Sequence, residues 1–308
     1  RSFDELKELA EKAQIPVVTT LLGISSFPED HVLSTGFPGM HGMAYASLTV
    51  DEADLIINFG SRFDDRIVGD PKRFSTGSKK IHVDIDPAEI NKSIEVEAPV
   101  IGNIKDVFGQ LLPKVKTTTH VEWLQRVEHL KAEHPSLRIP ESDHLMGQQV
   151  VKALSDVTKG EAMGYEVPSA IGAQVGNPDK LVWSICGDGG FQMTMMELAT
   201  AAENNLPVKY AILNNNHLGM ITQWQTFFFE GDYQAETYTH NPDFVKLAEA
   251  YGIKGIRVTT QDELESAIAE ANAHDGPVVV DFVIEKVDDL YPMIPVGQSV
   301  QEMIEDPN

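Results

Sequence analysis

The sequence predicts an α/β fold of two doubly wound domains with mainly parallel sheets. Apolar runs of strand length alternate with segments in which apolar residues recur at helical spacing, as in consecutive βαβ units. The 308 residues suggest two domains of about 150 residues each. We expect the first domain over 1–116, an interdomain linker over 117–144 and the second domain over 145–308.

The elements of the first domain can be read in chain order. Apolar residues at helical spacing predict a helix over 1–14, and the run 15–20 predicts a short strand. A glycine-rich loop follows over 36–43. The remaining elements predicted here are strands at 55–60, 80–86 and 100–101 and a helix over 104–112. Strands that alternate with helices favour a parallel sheet. The linker is expected to hold a short helix over 121–132 and two prolines.

The second domain shows the same alternation. Its predicted helices cover 146–154, 168–175, 191–205, 244–250 and 264–271, and its predicted strands cover 181–186, 208–213, 255–258 and 278–284. The strands at 181–186 and 208–213 flank one helix and therefore belong to one crossover unit of a parallel sheet. We expect the tail over 291–308 to wrap a surface, because it has few core residues.

Composition narrows the function classes. The formal net charge of −23, from 24 basic and 47 acidic residues, opposes binding to nucleic acid or to an anionic membrane surface. No apolar run approaches the roughly 18 to 20 residues of a membrane span. The single cysteine, Cys186, allows no internal disulfide and reads as a buried structural thiol. We expect a cytoplasmic location, or an organellar one if a targeting segment has been lost.

Two polar clusters each follow an apolar strand. Gly187, Asp188, Gly189 and Gly190 end the first run, and an asparagine block that includes Asn215 ends the second. Parallel strands bring such clusters to one edge of the sheet, where open α/β sheets bind ligands. Carboxylate and amide oxygens suit Mg²⁺, and glycines let the backbone approach a phosphate. The clusters predict a site for a Mg²⁺-bound diphosphate, and two ordinary tight turns are the alternative.

A third cluster follows the strand at 55–60. The run 60–66 reads Gly-Ser-Arg-Phe-Asp-Asp-Arg, so two arginines and two aspartates stand at a strand's carboxyl end. Such groups can bind the hydroxyls and phosphates of a nucleotide, and the alternative is a solvated turn with local ion pairs.

These motifs carry a family resemblance. The GDG followed by asparagines resembles the thiamin diphosphate motif, and the whole run 187–225 resembles the catalytic subunits of the acetohydroxyacid synthase (acetolactate synthase) family. The resemblance implies a transferase that decarboxylates pyruvate and joins the hydroxyethyl unit to pyruvate or 2-ketobutyrate, in branched-chain amino acid biosynthesis. It also implies 2-ketoacid substrates, a homodimer or homotetramer, and a regulatory subunit as partner.

The resemblance also implies site residues. For Mg²⁺ it implies the side chains of Asp188 and Asn215 and the backbone carbonyl of His217. The residues implied at thiamin diphosphate are Met163, Gly164, Gly187, Asp188, Gly189, Gly190, Asn215 and Met220. Those implied at FAD are Met40, His41, Gly60, Arg62, Asp64, Arg66, Asp84 and Ile85. Arg66, Met220 and Trp224 would meet the 2-ketoacid. From the residues alone, an isolated methionine such as Met163 is more often core filling, and Trp224 could equally be ordinary packing.

The chain also departs from the family pattern. The resemblance covers only the middle and C-terminal domains, so we expect the glutamate that activates the cofactor to be absent from this chain. A second gap is expected directly before Met163. Glu166 stands in place of a glycine, and Gly102-Asn103 in place of Gly-Asp. Pyruvate oxidase, glyoxylate carboligase and a non-catalytic cofactor-binding scaffold stay open as alternatives, although the RFDDR run with Met220 and Trp224 favours the synthase.

Overall fold

The structure, a computed structural model, describes residues 2–135, 142–155, 165–286 and 289–306. The chain divides into two compact units. The first unit takes in 1–138 and 290–308, and the second takes in 139–289. Each unit carries its own sheet and its own apolar core.

The first unit is built on a three-stranded parallel sheet. Its helices are α1 (Phe3–Ala13), α2 (Ala44–Glu52), α3 (Asp65–Val68), α4 (Ile104–Leu111) and α5 (Val121–Glu133), and its strands are β1 (Leu55–Phe59), β2 (Lys79–Asp84) and β3 (Ala98–Ile101). The strand order is β1-β2-β3, with Phe59 opposite Val83 and Asp84 opposite Ile101. One apolar cluster joins Leu9 of α1 to Phe108 and Leu112 at α4. Because the three strands are parallel, their carboxyl ends lie at the same edge of the sheet.

The boundaries of this unit differ from the predicted ones in two places. Helix α5 lies in the predicted linker, yet its Val127 and Leu130 are buried, and Arg126 forms an ion pair with Glu52 of α2 at 2.6 Å. It therefore packs as part of the first unit. The tail after residue 290 was expected in the second domain. Its Ile294 N–H donates to the Met40 carbonyl at 2.8 Å, which ties it to the first unit instead.

The second unit contains seven helices and four strands within its described ranges. The helices are α6 (Gly147–Ser155), α7 (Glu166–Gly176), α8 (Asp188–Thr194), α9 (Leu198–Glu203), α10 (Gly219–Phe228), α11 (Phe244–Ala250) and α12 (Leu264–Asn272). The strands are β4 (Trp183–Gly187), β5 (Lys209–Asn214), β6 (Lys254–Val258) and β7 (Val278–Val283). They form one parallel sheet in the order β4-β5-β7-β6.

Helices cover both faces of this second sheet. Along β7, Val278 and Val280 pack into a cluster with residues of α6 and α12, whereas Val279 packs into a cluster with residues of α7, α9 and α11. Successive strand residues point to opposite faces, so the alternation shows that each face buries its own core. The predicted class, an α/β fold with parallel sheets, is confirmed.

Two predicted elements differ in detail. The run 15–20 forms no strand, and Val17 makes only an isolated bridge with Ser34. Pro16 has no N–H to donate, which limits pairing there. The helix predicted over 191–205 is split, because a short 3₁₀ turn over Met195–Glu197 separates α8 from α9. Across the described ranges, no helix is long and apolar enough to cross a membrane.

Candidate functional site

The first site lies where β4 and β5 end. These strands are neighbours, and Gly187 of β4 stands opposite Leu213 of β5. Asp188 directly follows β4, and Asn215 directly follows β5. The two polar clusters predicted from the sequence are therefore brought to the same sheet edge.

Asp188 is buried and held by three hydrogen bonds. Its Oδ1 accepts from the backbone N–H of Gly189 at 2.9 Å, and its Oδ2 accepts from the backbone N–H of Asn216 at 2.9 Å. The side-chain amide of Asn241 donates to Oδ2 at 2.7 Å. Burial raises the pKa of Asp188, while the hydrogen bonds from Asn241, Gly189 and Asn216 lower it. These three donors are neutral, so a bound cation would offset the negative charge of the buried carboxylate.

The asparagine block is braced by a second segment. Asn216 and Leu218 exchange backbone hydrogen bonds with Tyr238 and Glu236, at 3.1 and 2.7 Å. Asn215 lies inside this turn and accepts from the His217 N–H at 3.3 Å. Burial lowers the pKa of the His217 imidazole, whose Nδ1 has no hydrogen-bond partner within the described ranges. The backbone positions of Asn215 and His217 are thus fixed relative to Asp188.

The glycines of the first cluster differ in what surrounds them. Gly187 is exposed, and a Cβ placed there would meet nothing within 4 Å. At Gly189 a Cβ would lie 2.6 Å from the Tyr238 hydroxyl and 2.9 Å from Leu218 Cδ2. Gly190 is half-buried in the first turn of α8. Only a residue without a side chain fits under Tyr238.

The sequence did not predict the polar network that joins Asp188 to Asn241. The Asn241 amide also donates to Asn214 Oδ1 at 3.1 Å, and its own Oδ1 accepts from Gln192 Nε2 at 2.9 Å. Asn241 lies 53 positions from Asp188 in a loop before α11. An asparagine before a proline reads locally as a turn, so no local signal marks this contact.

Met220 and Trp224 lie on α10, which begins directly after the asparagine block. They are four positions apart and therefore share one face of the helix. Met220 is 41% exposed, and the Trp224 ring packs against Phe228 with centroids 5.2 Å apart. Met163 and Gly164 lie outside the described residues. Arg66 belongs to the other unit, so its role at a 2-ketoacid stays a prediction.

The second candidate site lies at the sheet edge of the first unit. Gly60 follows β1 with φ of 73°, and its N–H donates to the Val83 carbonyl at 2.8 Å. Asp84 ends β2 with its carboxylate buried, accepting from the Asp86 N–H at 2.8 Å. Ile85 is 69% exposed beside it. Asn103, which replaces the expected aspartate, caps α4 by accepting from the Lys105 N–H at 2.9 Å.

Met40, His41 and Arg66 come together although they are far apart in sequence. The Met40 N–H donates to the Arg66 carbonyl at 2.7 Å, and an Arg66 guanidinium nitrogen lies 3.6 Å from Met40 Sδ. Burial lowers the pKa of His41, and the positive charge of Arg66 adds to this effect. Asp64 caps α3 through the Arg66 N–H at 3.1 Å, and Arg62, which is exposed, lies 3.9 Å from Asp64.

The donors at the two sites fit different groups. Asp188, the Asn215 amide and a backbone carbonyl at His217 are hard oxygen donors of the kind that Mg²⁺ takes together with phosphate oxygens. Within the described part of the chain, no cluster of three His, Cys, Asp or Glu residues could hold a metal ion by itself. Phosphate oxygens and water would be the remaining ligands of such a site. The exposed guanidinium of Arg62 suits an anionic nucleotide instead.

Comparison with known families identifies both units. Residues 152–282 match the family model described as "Thiamine pyrophosphate enzyme, C-terminal TPP binding domain". Residues 1–111 match the model described as "Thiamine pyrophosphate enzyme, central domain". Thiamine pyrophosphate is thiamin diphosphate, and the model for its binding domain covers the edge that holds Asp188 and Asn215.

Several curated proteins are similar along nearly the whole chain. The acetolactate synthase large subunit of Corynebacterium glutamicum is 40% identical over 97% of this chain and 55% of its own length. That of Cyanidium caldarium is 38% identical over 99% of this chain and 59% of its own length. The mitochondrial acetolactate synthase catalytic subunit of Saccharomyces cerevisiae is 36% identical over 97% of this chain and 50% of its own length.

The chain thus spans about half the length of the curated relatives it matches. The Corynebacterium alignment runs over 343 positions, which exceeds the 308 residues of this chain by 35. It therefore includes positions where that relative has residues that this chain lacks. The alignment length does not locate them, so the gap directly before Met163 stays a prediction.

Proposed function

Because the chain belongs to the thiamine pyrophosphate enzymes, of which it carries the central and C-terminal domains, we propose that it works as part of an acetolactate synthase. The observation that carries the proposal is the buried Asp188 carboxylate beside Asn215 at one sheet edge, in a chain 40% identical to an acetolactate synthase large subunit. In this role the chain binds pyruvate and 2-ketobutyrate as substrates.

The second unit would hold thiamin diphosphate through Mg²⁺. Asp188 and Asn215 would bind the metal with the His217 carbonyl. Gly187 leaves room for phosphate oxygens, and Gly189 and Gly190 would line the same site at the start of α8. When bound, the cofactor supplies the carbanion stabilisation that decarboxylation of a 2-ketoacid needs. This chain's residues anchor the diphosphate end. Met220 and Trp224, on one face of α10, would contact the substrate.

The first unit would hold FAD at its sheet edge. Gly60, Asp84 and Ile85 lie at the ends of β1 and β2, where a nucleotide binds in such sheets. Met40, His41 and Arg66 form one cluster next to it. Arg62 and Asp64 complete the set, and Arg66 could also pair with a substrate carboxylate.

The names of the relatives and the single cysteine also support proposals about partners and compartment. Curated relatives are named large or catalytic subunits, so we propose assembly with a regulatory subunit and with further copies of this chain as a homodimer or homotetramer. A single cysteine, buried in β4, fits a reducing compartment such as the cytoplasm.

Calorimetry tests the binding half of the proposal. Thiamin diphosphate is titrated into the chain with and without Mg²⁺, and into Asp188→Ala and the exposed control Asp179→Ala. We expect Mg²⁺-dependent binding that Asp188→Ala abolishes and Asp179→Ala keeps. Absence of Mg²⁺-dependent binding in the unmodified chain would overturn the proposal.

A product assay tests the reaction. The chain, with any partner chain it needs, is given pyruvate and both cofactors. We expect acetolactate, whose formation ceases in Asp188→Ala. Acetyl phosphate as the product would identify a pyruvate oxidase instead, and binding without turnover would identify a non-catalytic cofactor-binding protein.

A further inference from the structure

The hydrogen bonds of Asp188 distinguish its two oxygens. A carboxylate offers about four acceptor positions, two on each oxygen. Oδ2 receives two donors, the Asn216 N–H at 2.9 Å and the Asn241 amide at 2.7 Å. Oδ1 receives only the Gly189 N–H at 2.9 Å within the described part of the chain. One acceptor position is therefore left on Oδ1 and none on Oδ2.

The Asn241 side chain is itself held in one orientation. Its amide nitrogen has two hydrogens, which go to Asp188 Oδ2 and to Asn214 Oδ1. Its oxygen accepts from Gln192 Nε2 at 2.9 Å. A flipped amide would turn its oxygen toward the Asp188 carboxylate and its nitrogen toward the Gln192 donor. Gln192 therefore fixes which end of Asn241 faces Asp188.

The network continues across the whole sheet edge. Asn214 donates to Asp281 Oδ1 at 2.9 Å, and Arg257 Nε donates to Asp281 Oδ2 at 3.0 Å. These residues stand on β5, β7 and β6. Asn241, which lies in a loop, is thereby tied to an array of groups on the sheet. It is a rigid support rather than an isolated surface contact.

We propose that Asn241 is a positioning residue for the metal site, which directs Oδ1 of Asp188 to the cation by occupying Oδ2. The inference rests on the proposed Mg²⁺-diphosphate site and adds a residue and an orientation to it. Without the Asn241 donor, Oδ2 gains a free acceptor position that can compete with Oδ1 for the cation, and of the donors that the structure describes only the Gly189 and Asn216 N–H groups still hold the carboxylate. Loss of such supporting partners typically weakens metal binding by about 10- to 100-fold.

Calorimetric titration of Mg²⁺ in the presence of thiamin diphosphate tests the inference on the full chain. Asn241→Ala should bind Mg²⁺ about 10- to 100-fold more weakly than the unmodified protein. Asn177→Ala is the matched control, because Asn177 is exposed and, among the residues that the structure describes, its side-chain amide donates only to the Ala173 carbonyl, at 3.0 Å. Circular dichroism establishes that each variant is folded.

Gln192→Met separates positioning from general destabilisation. It leaves Asn241 in place but removes the donor that orients it, so we expect a several-fold loss of Mg²⁺ affinity. Gln192 Nε2 also donates to the Asp188 backbone carbonyl at 3.2 Å, so part of its effect is independent of Asn241. The double variant with Asn241→Ala should nevertheless lose less Mg²⁺ affinity than the two single losses combined, since Gln192 also acts by orienting Asn241. If Asn241→Ala does not fold, the Gln192→Met result decides.

The possible results separate this inference from the proposed function. An unmodified chain that binds Mg²⁺ and an Asn241→Ala variant that binds it within twofold would overturn this inference alone. Fully additive losses in the double variant would also overturn it. An unmodified chain without Mg²⁺ affinity would overturn the proposed function and this inference with it.

Discussion

Replacement of Gly189 by alanine probes how closely the loop at Tyr238 covers the glycine cluster. The new Cβ would lie 2.6 Å from the Tyr238 hydroxyl oxygen and 2.9 Å from Leu218 Cδ2. Tyr238 cannot easily retreat, because its N–H and its carbonyl are both hydrogen-bonded to Asn216, each at 3.1 Å. The substitution should therefore force the loop away from α8.

The expected cost can be worked out from two opposing effects. Overpacking of this kind costs about 1–3 kcal/mol. Alanine gains up to about 1 kcal/mol over glycine within a helix. If alanine gains the full amount of about 1 kcal/mol, Gly189→Ala should thus lower the free energy of unfolding by up to about 2 kcal/mol. Gly172→Ala in α7 is the matched control, where a Cβ would meet nothing within 4 Å, and it should gain up to about 1 kcal/mol.

Urea unfolding, followed by circular dichroism, measures both variants. The helix gain of alanine is common to both variants, so the difference between them should be the overpacking cost of about 1–3 kcal/mol, with Gly189→Ala the less stable. Gly189→Ala should also weaken Mg²⁺-dependent binding of thiamin diphosphate, since the displaced loop carries Asn241. A Gly189→Ala variant as stable as Gly172→Ala would refute the close contact.

Three further predictions concern other parts of the chain. Burial lowers the pKa of Lys209 from 10.5 to about 8, so between these pH values the unfolded state holds a proton that the folded state releases. Stability relative to Lys209→Met should rise across this window by up to about 3 kcal/mol; a flat difference in pH-dependent urea unfolding, with the exposed Lys180→Met as control, would contradict this. Phe191→Ala should cost about 3–5 kcal/mol in urea unfolding, because the ring is fully buried; a loss below about 1 kcal/mol would be inconsistent with that packing. Arg66→Ala should weaken FAD binding, measured by flavin fluorescence, about tenfold or more, whereas Arg126→Ala should leave it unchanged; equal affinities would rule out Arg66 as a flavin contact.

Much of the fold could be predicted because its signals are local. The strands β4, β5 and β7 are apolar runs of five or six residues with turn residues at their ends. The alternation of strands and helices then implied parallel sheets. The run 15–20 was overestimated because strand propensity depends on a partner strand, and only one bridge forms there.

The unit boundaries were less predictable because they depend on long-range contacts. A linker helix and a packed helix have similar local patterns, and α5 is distinguished by its ion pair to Glu52, which lies 74 positions away. The tail after residue 290 is tied to the first unit through Met40 and Asp70. Such pairings leave no trace in the sequence around either partner.

In the candidate site, too, residues with a local signal could be predicted and residues placed by long-range contacts could not. Asp188 and Asn215 could be predicted because each directly follows a strand, and the two strands are neighbours in a parallel sheet, which brings the two residues close together. Asn241 and Tyr238 reach the site from a loop, and no periodic pattern places a loop residue. The roles of Met163 and Gly164 stay predictions, since both lie outside the described residues.

The central claim is that Asp188 and Asn215 hold the cation of a Mg²⁺-bound diphosphate. A crystal structure of the chain with thiamin diphosphate and Mn²⁺ tests it most directly, because anomalous scattering locates the metal. We expect one peak at about 2.1 Å from Asp188 Oδ1 and from the Asn215 side-chain oxygen, with phosphate oxygens completing its coordination. A diphosphate bound elsewhere, or a metal that contacts neither residue, would contradict the account.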